Sequence, residues 1–239
     1  MKQFAIIGLD YFGKSLLDEL LALDVDVLLI DKDQTVIDAY HDSPVSAVAL
    51  DVLNMENLKH ALPANIDAVV IDLGDKVEAS ILATSYCRKL GIKNIIVKAE
   101  TDAHGEILDL VGATKIVFPN REAAKRIAPL MVSSALLNYL PVSGNLVIAE
   151  LEIPEAFVGQ TLIEADLRRK HDINLISVKN GEEEEYGLFT PDYRFRQGDV
   201  ALVSGTDETL EKFAGRVSKE SEKKSMMRNL KSLFGHLKK

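Results

Sequence analysis

Short apolar runs alternate with stretches of helical spacing through the first half of the chain. The runs Phe4–Ile7, Asp26–Ile30, Ala47–Leu50, Ala68–Ile71, Asn94–Val97 and Lys115–Phe118 predict strands. Between them, Lys14–Leu23, Gln34–His41, Met55–Ala61, Lys76–Leu90 and Ala103–Val111 predict helices. In the first of these Leu16, Leu17, Leu20 and Leu21 make the apolar face. Strands that are apolar on both faces, alternating with helices, predict a parallel sheet covered on both sides. The expected fold class is therefore α/β, a Rossmann-like doubly wound sheet of six strands.

The pattern changes after residue 118. Ala123–Tyr139 predicts one more helix, with Ile127, Leu130, Met131, Ala135 and Leu136 on its apolar side and Pro129 bending it. Pro141–Asn145 reads as a boundary. Beyond it, Leu146–Ile153 predicts a strand, Leu162–Lys170 a short helix, Ile173–Lys179 and Val200–Ser204 strands, and Thr206–Val217 a closing helix capped by Thr206 or Asp207. The expected organisation is a nucleotide-binding domain at 1–118, a crossover helix and linker at 119–144, a small α+β domain at 145–218 and a tail at 219–239. A domain as small as the second has little core of its own, which points to dimerisation.

Composition narrows the class. The 239 residues are 47% hydrophobic and 27% charged, ordinary for a globular chain. A single cysteine, Cys87, excludes an intrachain disulfide and fits a reducing compartment. The first residues carry too short an apolar run for a signal peptide, and no stretch reaches a membrane span. The expectation is a soluble, cytoplasmic protein. The net charge of −9 divides into +5 on residues 219–239 and −14 on the rest, and so acidic a body argues against nucleic acid as a partner.

The candidate chemistry sits at the C-terminal ends of the predicted strands. Gly8-Leu9-Asp10-Tyr11-Phe12-Gly13 follows the first strand and matches a dinucleotide fingerprint whose middle glycine is Asp10. That middle position normally lets the backbone approach a pyrophosphate. A carboxylate there takes up room and repels phosphate. Asp31 falls 18 residues after Gly13, where an acid binds a ribose hydroxyl pair and disfavours NADP. Lys32 adjoins it. Asp51, followed by Val52, is placed to accept from an adenine amine. Gly74 and Asp75 follow the fourth strand, and Lys98 follows the fifth as the candidate phosphate counter-charge. The histidines form no evident catalytic pairing, and neither metal-ligand spacing nor a nucleophile elbow is present, so catalysis is not expected.

Lys2–Leu9 with Phe12-Gly13, Glu78–Thr84, Ile96–Ala99, Gly112-Ala113 with Ile116-Val117 and Pro119, Gly159 with Thr161-Leu162, and Arg196–Asp199 together resemble the RCK (KTN) family. These are cytosolic gating subunits of bacterial Ktr and Trk potassium uptake systems. The resemblance covers residues 1 to about 218. It implies a homo-oligomer in which dimers assemble into an octameric ring beneath a membrane-embedded potassium channel or transporter subunit of the KtrB or TrkH type. The subunit would be peripheral on the inner face of the membrane. The implied cofactor is an adenine nucleotide: ADP or AMP, NAD or NADH, or ATP.

Three departures fall around the expected phosphates. The family usually has Gly where this chain has Asp10, Arg where it has Tyr11, and Glu where it has Asn120. Arg121, next in the chain, is a candidate replacement for lost positive charge. These changes argue against the family's usual ATP switch while leaving adenosine recognition by Asp31 and Asp51 in place. An NAD-dependent oxidoreductase and a structural ring subunit without nucleotide are the competing readings. In some relatives the second domain binds cyclic di-AMP, and the matching residues are Leu167, Arg168, His171 and Ile173, with Pro191 in a following loop. A solvated helix end competes with that reading. Glu182–Glu185 is acidic enough to attract a divalent cation, but four consecutive acids alternate faces if extended, and a solvated hairpin tip is the favoured reading. In the tail, Met226, Met227, Leu230, Leu233, Phe234 and Leu237 recur at helical spacing among basic residues, which fits docking on anionic lipid or on a partner as well as a soluble tail.

Overall fold

The structure is a computed structural model of the chain and describes residues 2–180, 185–187 and 189–213. They fall into two compact units divided between Asn120 and Arg121. The first contains six strands, β1 (Gln3–Ile7), β2 (Asp26–Asp31), β3 (Ser46–Ala49), β4 (Ala68–Ile71), β5 (Ile95–Lys98) and β6 (Lys115–Val117). All pairs are parallel, in the order β3-β2-β1-β4-β5-β6. This is the doubly wound order, in which the chain reverses direction across the sheet between β1 and β4 and leaves a crevice at the C-terminal strand ends.

Strand periodicity explains why the runs are apolar throughout. Successive side chains point to opposite faces, so Ala5 and Ile7 enter one buried cluster with Val69, Ile71 and Val97. Ile6 enters the other, with Leu17, Leu29 and Val70. The intervening helices are α1 (Tyr11–Ala22), α2 (Gln34–Asp38), α3 (Met55–Ala61), α4 (Val77–Lys89) and α5 (Asp102–Val111). Helix α1 begins three residues earlier than its leucine pattern predicts, directly after the glycine turn. Helix α5 is stopped by Gly112, which takes a left-handed φ of 111°.

Helix α6 (Pro119–Val132) corrects one expectation. The helix predicted to reach Tyr139 ends at Val132, and Leu136–Ser143 forms strand β7. The stretch has enough apolar residues for either period, and pairing decides. It runs antiparallel to β8 (Leu146–Glu152), with Leu136 opposite Leu151 and Tyr139 opposite Ala149. The 141–145 segment, expected as a boundary, is thus the end of one strand and the hairpin turn at Gly144 (φ 57°). Pro141 is tolerated because β7 is an edge strand.

The second sheet has the order β7-β8-β10-β9, with β9 at Asn174–Asn180 and β10 at Asp199–Thr206. The helix predicted over 162–170 is two short ones, α7 (Leu162–Ala165) and α8 (Leu167–His171). They are broken at Asp166, which adopts a left-handed φ of 45°. Thr161 and Glu164 form a reciprocal capping box on α7. Asp199, fully buried, starts β10 by accepting hydrogen bonds from the Arg196 N–H (2.8 Å) and the Tyr193 hydroxyl (2.7 Å). The core gathers Leu151, Ile173, Phe195, Val203, Leu210 and Phe213. Residues 207–213 are helical. The remainder of that predicted helix, most of the acidic run at 182–185 and the whole tail at 219–239 lie outside the described residues. Among the described residues no helix is long and apolar enough to cross a membrane.

Candidate functional site

A cleft of about 1080 Å³ opens at the C-terminal edge of the first sheet, around the ends of β1, β2 and β4. Its floor is the turn after β1. Gly8 has φ of 81°, and a Cβ there would lie 2.2 Å from the Asp72 carbonyl oxygen, so only glycine fits. The next amide, Leu9 N–H, donates to Asp31 Oδ2 at 3.0 Å, and Asp31 Oδ1 accepts from the Asp33 N–H at 2.9 Å. Asp31 therefore ties the glycine turn to the end of β2 while its carboxylate lines the cleft.

Asp10 occupies the N-cap of α1 in extended conformation, but its side chain does not cap the helix. Instead Asp10 Oδ2 lies 3.0 Å from Lys98 Nζ. The same ammonium lies 3.2 Å from Asp72 Oδ1 and 3.1 Å from Glu100 Oε1. The orphan amide at the start of α1 is supplied from another strand: Gly13 N–H donates to Asp72 Oδ2 at 2.7 Å. Asp72 is completely buried and so holds both the helix start and the lysine. Gly74 follows with φ of 63°, and a Cβ there would meet Asp10 Oδ2 at an ordinary contact distance of 3.4 Å, so conformation and not crowding favours glycine at this position.

These contacts set the local charge states. Burial works against the Lys98 ammonium, but the hydrogen bonds to Asp10 and Glu100 and the charge of Asp72 outweigh it and raise its pKa above the ordinary lysine value. The Lys98 hydrogen bond, reinforced by the Tyr11 backbone amide, lowers the pKa of Asp10. Lysine and aspartate are both charged at neutral pH. The lining as a whole carries eight carboxylates against three lysines, a formal balance of −5.

Nine of the expected site residues line this cleft: Gly8, Asp10, Asp31, Lys32, Asp51, Val52, Gly74, Asp75 and Lys98. Five do not. Tyr11, expected beside the phosphates, is 88% exposed as the first residue of α1. Phe12 turns into the apolar cluster beneath α1, and Gly13 is engaged by Asp72. Asn120 and Arg121 are exposed in the first turn of α6, outside the lining. Lys98, expected as the phosphate counter-charge, is surrounded by carboxylates. The residues of the cyclic di-AMP segment are divided between core and surface. Leu167 and Ile173 are core residues of the second unit and present no apolar surface. His171 packs edge-on against Phe157 and Phe213, while Arg168 and Pro191 are exposed.

Asp72 and Glu100 were missed. Asp72 stands at a C-terminal strand end in Ile71-Asp72-Leu73-Gly74, the same signal that selects Asp31 and Asp51. His104 supports the group from behind. Its Nδ1 accepts from the Glu100 N–H (3.3 Å), which leaves the proton on Nε2 to donate to Ser80 Oγ (2.7 Å). Burial lowers its pKa, against the pull of the Glu100 charge, so the imidazole is neutral at physiological pH.

The fold and the cleft define a Rossmann-type ligand-binding unit followed by a small antiparallel α+β unit. The TrkA-N domain model matches residues 4–119 and the TrkA-C domain model residues 146–217. The chain is 34% identical over 216 residues to the Ktr system potassium uptake protein C of Bacillus subtilis, covering 90% of this chain and 97% of that protein. It is 27% identical over 212 residues to the Ktr system potassium uptake protein A of the same organism, covering 89% of this chain and 95% of that one. Among solved structures, the GsuK channel bound to NAD matches with a TM-score of 0.63 at 19% identity, over 89% of this chain and 39% of that longer one. The chain belongs to the RCK (KTN) family of potassium uptake proteins, whose TrkA-N and TrkA-C domains it carries in order.

Proposed function

We propose that this chain is the regulatory subunit of a potassium uptake system, a cytosolic protein that binds an adenine nucleotide and gates a membrane-embedded partner. The observation that carries the reading is similarity to the Ktr protein C over 90% of this chain and 97% of that protein, with both domains matched, combined with a cleft that presents Asp31 and Asp51 at a doubly wound switch point. The subunit assembles with copies of itself, as an octameric ring in the family's usual form, and meets the membrane through its partner. A ligand gates such a ring only by binding its open and closed forms unequally. A hydride-transferring enzyme would need an acid–base group beside the bound ligand. None of the described histidines lines the cleft, and the most buried of them is committed to Ser80 and Glu100.

The test has two parts. Nucleotide-stripped protein is titrated calorimetrically with adenosine, AMP, ADP, ATP, NAD and NADH. The chain is also co-expressed with a Ktr-type membrane subunit in cells lacking potassium uptake. Saturable binding of an adenine ligand and restored growth at low potassium are expected. Growth that is the same with and without this chain rejects the gating role.

A further inference from the structure

We infer that Asp10 makes this cleft selective for an adenosine ligand carrying at most one phosphate, and that it disfavours polyphosphates and dinucleotides. The inference deepens the adenine-ligand reading above and rests on it. A helix N-terminus after a glycine turn is an anion site because its first amides point outward and its dipole is positive there. In this chain that site is filled from within. The Gly13 amide is held by Asp72 Oδ2 at 2.7 Å, and Asp10 places a second carboxylate at the helix start.

The nearest cation gives no relief. Lys98 is 13% exposed and within 3.2 Å of Asp10, Asp72 and Glu100, three negative charges on one positive. Turning it toward a phosphate would leave Asp72, with no exposed surface, as a buried and uncompensated charge. The other two lysines of the lining, Lys32 and Lys76, are exposed at the rim. The lining balance of −5 opposes each phosphate added to a ligand.

The other half of the cleft is unaffected. Asp31 and Asp51 end or follow adjacent strands, β2 and β3, and offer acceptors to a hydroxyl pair and an amine, while Val52 and Leu53 add apolar wall. A neutral nucleoside supplies donors to these carboxylates and brings no charge to the α1 end.

The experiment is a calorimetric series on the nucleotide-stripped full chain with adenosine, AMP, ADP, ATP and NAD, repeated on D10G and D10N. Circular dichroism melts confirm that each variant is folded. In the natural chain adenosine and AMP are expected to bind at least ~10-fold more tightly than ADP, ATP or NAD, one missing charge compensation being worth about that much. D10G, which restores space and releases one arm of Lys98, is expected to shift the ATP-to-adenosine affinity ratio at least ~10-fold toward ATP. D10N, which keeps the volume and removes the charge, should give part of that shift. ATP or NAD binding to the natural chain as tightly as adenosine overturns the inference and leaves the nucleotide reading standing. A ratio unmoved by both variants does the same. Absence of binding by every adenine ligand overturns both.

Discussion

Lys98 Nζ stands 3.0 Å from Asp10 Oδ2, joining the end of β5 to the start of α1 across 88 residues of sequence. The pair sits where the fold ordinarily receives a phosphate. Asp72 and Glu100 complete it, so the lysine is a structural keystone as well as a member of the cleft. Replacing Lys98 by Met is expected to destabilise the protein by about 3–5 kcal/mol, because Asp72 is left buried without a cation. Asp10→Asn removes a partner whose side chain is 37% exposed, and about 1 kcal/mol or less is expected there. Urea unfolding of both variants checks the contrast.

Gly8 is constrained twice, by its positive φ and by the carbonyl of Asp72 in the place of a Cβ. Gly8→Ala is therefore expected to cost more than about 2 kcal/mol, the left-handed conformation alone accounting for about 1–2. The same substitution at Gly144, where a Cβ meets nothing within 4 Å, carries only the conformational part. Comparing the two midpoints separates clash from conformation.

His104 is buried and neutral in the folded state, with its pKa lowered from the ordinary 6.5. Below that value the unfolded chain takes up a proton that the folded chain resists. Stability therefore rises with pH across this interval and is lost as pH falls through 6.5 toward the folded pKa. His104→Gln is expected to lower stability at pH 7 and to flatten the slope between about pH 7.5 and 5. Unfolding free energy measured across that range tests the sign.

Cys87 lies on α4 with no exposed surface, and burial raises its thiol pKa to about 12. The thiolate, not the thiol, reacts. A thiol reagent is expected to leave the native protein unmodified at neutral pH and to label one equivalent in denaturant. Stoichiometric labelling of the native state would show that α4 packs less tightly than described.

Most of the first unit was legible because its strands are apolar on both faces, and that pattern has few causes other than a covered parallel sheet. The observed strand order is one of those that a doubly wound sheet ordinarily takes. The second unit was less legible. Leu136–Ser143 carries leucines at helical spacing, and only the ladder to β8 makes it a strand. A local rule also failed at Asp166, where one predicted helix became two.

The sequence by itself determined the doubly wound class, the glycine turn at Gly8 and the acids at the strand ends. Those are short-range features: an apolar period, a residue without a Cβ, a carboxylate at a strand terminus. It also showed that Asp10 stands where a glycine is usual. Tertiary structure alone decided what that aspartate does. The Asp10–Lys98 contact, the hold of Asp72 on Gly13 and the exposure of Tyr11 depend on how β1, β4 and β5 lie side by side and on where α1 begins. Charge balance at a buried point is a sum over residues brought together from distant parts of the chain, and no local pattern contains that sum.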